Sequence, residues 1–185
     1  MIIDGSLLFT GTSNGATGGI TASPTTDAPT TGTQVASNII DLGLVNGVPS
    51  YANGGGARDI GVGDNPALKF LASVAVTFAG GTSLQLELSG APDSGTGTPG
   101  AYYVMWLGPA ILLANLDQGQ ELGNINIPRA TPGQPLPRFL RLRFISVGSF
   151  TAGQVCAAIV LDRMDHPQGL NGNLSGYRPG VVVSN

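Results

Sequence analysis

The chain has 185 residues, enough for one domain with a substantial core, and only 10% of them are charged, well below the roughly 25% of an average globular protein. Eight basic against eleven acidic residues leave a net charge of −3, which excludes the basic patch needed to neutralise nucleic-acid phosphates. The 29 glycines and 13 prolines point to many turns and few helices, and a hydrophobic content of 42% argues against wholesale disorder.

Residues 2–9 form a short first strand candidate. The next stretch, Gly11 to Thr33, is built from Gly, Thr, Ser, Ala and Pro, with Asp27 as its one charge. It is expected to be a long mobile loop or an arm that orders against a neighbouring subunit, because it buries too little apolar surface to offset its ordering entropy. Val35 to Leu42 reads as a strand. The link from Asn53 to Pro66 is glycine-rich but lacks the full Gly-x-Gly-x-x-Gly spacing and a following helix, so it is no phosphate cradle. Asp59, Asp64 and Asn65 there fit an Asx-stabilised turn better than a calcium site. Arg58 beside Asp59 suits a local or inter-subunit ion pair.

Ala67 to Phe78 and Ser83 to Leu88 both alternate apolar and polar residues, the mark of half-buried strands, and with the turn at Ala79-Gly80-Gly81 they are expected to pair as a hairpin. Tyr102 to Leu107 is an aromatic strand holding the sole tryptophan, Trp106. Ile111 to Leu116 and the segment around Leu122, Ile125 and Ile127 follow as weaker strands. Pro132, Pro135 and Pro137 lead into the strongest stretch, Pro137 to Asp162. Its first run sets Leu140, Leu142 and Phe144 against Arg141 and Arg143; its second, Val155 to Leu161, is apolar enough to be buried on both faces. With the Ser146–Gly153 link between them, the two runs are expected to form a hairpin. The tail from Arg163 to Asn185 ends in Val181-Val182-Val183, either disordered or a strand to be added to another chain's sheet.

The fold class is therefore all-β: a jelly roll or antiparallel β-sandwich spanning 1–162 with an inserted loop at 11–33, followed by an extension at 163–185. Catalytic constellations are missing from the pattern. His166 is the only histidine, and Asp162-x-x-Asp165-His166 reads as a solvated turn rather than a metal site. No nucleophile-elbow context supports a Ser–His–Asp device. Cys156, the only cysteine, lies in an apolar strand and suits a small buried hydrophobe. Only two glutamates exist, Glu87 and Glu121, and Glu87 lies on the apparent outer face of its strand. Trp106 with Tyr102 and Tyr103 suits a sugar-stacking platform or, more commonly, a core or interface strand. The opening residues lack a secretory signal, and the longest apolar stretch, Tyr102 to Leu116, is broken by Gly108-Pro109. Synthesis in a reducing cytoplasm and no membrane association are the expectation.

The order of several blocks resembles the small jelly-roll capsid cement proteins of tailed phages, the kind first described on a Bordetella phage head. The blocks are Met1-Ile2-Ile3-Asp4, Ser37-Asn38-Ile39-Ile40-Asp41-Leu42-Gly43, Ala57-Arg58-Asp59-Ile60-Gly61, Arg138 to Leu142, Phe150-Thr151-Ala152-Gly153 and Val160-Leu161-Asp162. Departures are the 11–33 insertion, the extra residues between Gly43 and Ala57, and the tail. The resemblance implies a cofactor-free, non-enzymatic protein on the outer capsid surface of a virion. It would bridge major capsid protein subunits as a homodimer or homotrimer. The alternative is a carbohydrate-binding jelly roll for host attachment. Interface candidates are Arg58, Asp59, Arg138, Arg141, Arg143, Val181, Val182 and Val183. Reversing the charge of Arg141 and Arg143 together is expected to spare folding and weaken assembly.

Overall fold

The computed structural model describes residues 3–11, 13–14, 19–20, 26–43, 68–127 and 133–161. The Gly-rich link with Arg58 and Asp59, His166 with Asp162 and Asp165, and the tail with Val181, Val182 and Val183 lie outside the described residues.

Ten strands and a single 3₁₀ turn make up the described chain: β1 (Ile3–Leu8), β2 (Ser13–Asn14), β3 (Gly19–Ile20), β4 (Thr31–Asp41), β5 (Leu68–Gly80), β6 (Ser83–Ala91), β7 (Tyr103–Leu107), β8 (Ile111–Leu112), β9 (Glu121–Asn126) and β10 (Phe139–Leu161). The tiny β2–β3 pair stands apart from the main sheets. Every pairing is antiparallel. One layer runs β1-β10-β5-β9 and the other β4-β10-β6-β7, with β8 also beside β6. Counting the two halves of β10 separately, each layer has four principal strands, and chain order winds between them as in a jelly roll.

Two pairing expectations are corrected. The stretch from Pro137 to Asp162 is not a hairpin: β10 is one strand of 23 residues that passes from one layer to the other. Nor do β5 and β6 pair with each other. Both lie along β10, with Leu68 opposite Leu161 and Gly80 opposite Phe150 in one layer, and Ser83 opposite Val147 and Ala91 opposite Phe139 in the other. The result is a two-stranded ribbon that folds over at a glycine corner. Gly81 has φ 65°, and a Cβ there would sit 2.6 Å from the Phe150 ring. Gly148 has φ 79°, and its Cβ would sit 3.0 Å from the Gly81 Cα. Both positions need left-handed backbone and a missing side chain at once. Turn chemistry at Gly80-Gly81 thus marks a sheet-to-sheet bend rather than a reversal.

The layers close on Phe9, Phe70, Leu84, Leu88, Leu140, Leu142, Phe144 and Ile159, all buried. Phe70 meets Phe9 edge-on at 5.8 Å and Trp106 at 5.6 Å, stitching the two sheets together. Val155, Ala157 and Ile159 enter this core, while Ala158 and Val160 join Leu8 and Leu71 on the opposite face. The second half of β10 is thus buried on both sides, as its unbroken apolar run predicts. Cys156 is half-buried.

The 11–33 segment departs from a wholly loose loop. Thr31 to Thr33 belong to β4, and Asp27 exchanges two backbone hydrogen bonds with Val155, at 2.9 and 2.8 Å. The Asp27 carboxylate accepts hydrogen bonds from the Gly11 amide (2.9 Å), the Ser37 amide (2.7 Å) and the Ser37 hydroxyl. The one charge in a polar stretch is therefore its anchor: three donors on two segments meet a carboxylate that would otherwise stay in water. The Thr10 hydroxyl accepts the Ala157 amide at 2.9 Å, so residues 9–11 are also tied to β10.

Candidate protein-interaction surface

Registers place the side chains of the β4-β10-β6-β7 sheet. Because directly opposed residues share a face, Val35, Arg143, Glu87 and Leu107 form one row across its outer side, and Ile39, Arg141, Ser89 and Val104 form the next. The flanks are apolar and open: Val35 is 50% exposed, Ile39 47%, Val104 49% and Leu107 53%. The middle is polar and braced.

Arg143 donates to Glu87 Oε1 at 3.1 Å. Side-chain exposure is 29% for the arginine and 8% for the glutamate, so this is a partly buried pair whose carboxylate depends on its partner. The Ser89 hydroxyl donates to the same oxygen. Arg141 stands differently. Its guanidinium lies 3.7 Å from the centroid of the Tyr102 ring, and its Nε is buried without a hydrogen bond, as is the Tyr102 hydroxyl. A cation over a ring face gains from the quadrupole, but among the described residues no carboxylate pairs with Arg141. Burial pushes the Tyr102 phenol above its ordinary value, against the opposing pull of Arg141.

At the sheet's lower end Arg138 donates through Nε and Nη2 to the two oxygens of Asp41, both at 2.9 Å, and through Nη1 to Asp93. The fork ties the end of β4 and the β6–β7 loop to the start of β10. Its hydrogen bonds to Asp41, foremost, hold Arg138 above the usual guanidinium value. Asp93 is held below the usual carboxylate range, chiefly by the Gly95 amide and further by the Gly97 amide and Arg138.

Of the residues nominated by sequence, Arg138, Arg141 and Arg143 thus share one sheet, but two of the three are occupied within the chain. The idea that charge reversal at both 141 and 143 spares folding is revised for Arg143, since a glutamate there would face buried Glu87. Sequence reasoning missed the exposed Val35, Ile39, Val104 and Leu107. Alternation along β4 carried that signal, but the face it exposes is known only once β4 is seen at the sheet edge.

The aromatic platform does not assemble. Trp106 packs on Phe70 in the core, Tyr102 lies under Arg141, and the Tyr103 hydroxyl donates to the Pro135 carbonyl at 2.8 Å. The two glutamates sit on different layers, Glu87 on β6 and Glu121 at the start of β9. Among the described residues no three His, Cys, Asp or Glu side chains gather as a metal site would need.

An all-β jelly roll with a braced, apolar-flanked sheet face defines the class. Residues 25–159 match the Bbp16 family model, and the chain belongs to that Bordetella-phage-type family. No curated protein matches it.

Proposed function

We propose that the chain is a capsid cement protein. It binds the outside of a tailed-phage head as a small homo-oligomer, a dimer or trimer, and bridges neighbouring major capsid protein subunits without catalysing any reaction. The observation that carries this reading is the outer face of the β4-β10-β6-β7 sheet, where cross-strand pairs hold the centre rigid and four large apolar residues stay open at the flanks. Such a face loses little entropy on docking, which is what a preorganised interface requires. Membership of the Bbp16 family is consistent with a phage protein.

Cementing asks little of each contact. Many copies on a symmetric lattice add modest affinities through multivalency, and a protein that binds only the expanded shell stabilises it by mass action. The test is co-sedimentation of purified protein with expanded empty heads lacking it, followed by heating of loaded and bare heads. Saturable binding and a higher disruption temperature are expected. Absence of binding, together with equal heat resistance, defeats the reading.

A further inference from the structure

We propose that Arg141, on its Tyr102 platform, is the anchor of the docking face and takes a carboxylate from a different protein whose surface sets an acidic side chain among apolar ones. The inference rests on the cement reading and names the chemistry of the partner surface.

Of the three arginines at this sheet, two have carboxylate partners among the described residues and one does not. Arg138 holds Asp41 and Asp93, and Arg143 holds Glu87. Arg141 has a ring beneath it, and among the described residues its buried Nε has no hydrogen-bond partner. An arginine stacked on tyrosine has already lost much of its rotamer freedom, and with Nε buried it keeps its paired Nη donors for an incoming acceptor. Its row neighbours across the strands are Ile39 on one side and Ser89 then Val104 on the other. Ile39 and Val104 are open to solvent. A central arginine and tyrosine with a surrounding apolar ring is the composition in which binding energy concentrates.

Charge excludes the simplest alternative, a second copy laid face to face. Among the described residues this face has no spare carboxylate: Asp41 and Asp93 serve Arg138, Glu87 serves Arg143, and Asp27 serves Gly11 and Ser37. Two such faces would bring together two unpaired cations and nothing to neutralise them. With no spare carboxylate among the described residues of this face, the acid is assigned to the partner.

The experiment measures per-copy affinity for expanded empty heads in rising salt. Arg141→Ala is expected to weaken binding about thirtyfold and to flatten its salt dependence, with Arg141→Lys intermediate because it keeps charge but loses the fork. Ile39→Asp and Val104→Asp should each weaken binding about tenfold or more, while Val76→Asp, equally exposed but on the other layer, leaves it unchanged. Thermal unfolding of each free variant separates lost binding from lost fold. Wild-type protein that fails to bind heads defeats the cement reading itself. Wild-type binding with Arg141→Ala equal to it in affinity and salt slope overturns the anchor alone. If Arg141→Ala instead dissociates the free protein's oligomer, with head binding per subunit intact, the acid belongs to a second copy and the proposal is wrong.

Discussion

The two halves of β10 share one backbone and yet live in different surroundings. From Phe139 to Val147 the strand has a dry side and a braced, partly wet side; from Ala157 to Val160 both sides are dry. Arginines at alternate positions keep the first half open, and the apolar run closes the second against Leu8 and Leu71. Burial on both faces serves stability, whereas a face left open is available for recognition. The difference predicts that damage to the second half unfolds the protein and damage to the first half's outer side spares it, unless an ion pair is broken.

The largest effect tests the dry half. Ile159→Ala is expected to cost about 3 kcal/mol by leaving a cavity, read as a lower urea midpoint, whereas exposed Val147→Ala should move stability by no more than about 0.5 kcal/mol. Equal costs would erase the distinction.

Next comes the corner joining the halves. Gly148→Ala is expected to destabilise by about 2 kcal/mol through left-handed strain and contact with Gly81. Thermal unfolding at wild-type temperature would show that the bend does not need glycine.

The third sharpens the comparison within the wet half. Arg143→Leu alone should cost about 2 kcal/mol, because it strands Glu87 in a site with little water. Adding Glu87→Leu should recover most of the loss, since two packed apolar chains replace a pair that gains little net energy. A double variant no better than Arg143→Leu would mean that the pair itself stabilises.

The smallest effect concerns pH. The folded Asp93 titrates below its ordinary 3.8, so its contribution is complete above that value and is lost as pH falls through the lower folded one. Asp93→Asn should therefore lower stability slightly at neutral pH, flatten the acid limb of a stability–pH curve below about pH 4, and converge with the wild type in acid. An unaltered acid limb would remove Asp93 from the brace.

Much of the fold was legible because alternation is a local signal. Leu84, Leu86 and Leu88, and Leu140, Leu142 and Phe144, announce their buried faces directly. Pairing is not local. Gly80-Gly81 and Gly148 look the same in sequence whether the chain reverses or bends, since both need positive φ, and only the partner strand decides. The site was half legible for the same reason. Arg141 and Arg143 occupy equivalent positions in one strand, yet Glu87 lies opposite Arg143 and uncharged Ser89 opposite Arg141. That difference is set by a register spanning some fifty residues of chain. Asp27 shows the converse: a lone charge in a polar stretch reads as solvated until the segments it gathers are seen.

The folded-over ribbon also sets an order of assembly. Its rungs join residues increasingly distant in sequence from Ala91–Phe139 to Leu68–Leu161, and loop-closure entropy grows with the chain enclosed. The least costly start is the Ala91–Phe139 end, with zipping through the glycines into the second layer. Folding-rate measurements on Leu88→Ala and Leu142→Ala should then show a larger share of their stability loss in slowed folding than Ile159→Ala shows. A nascent chain on this route would form its open, apolar-flanked sheet before the layer that secures it.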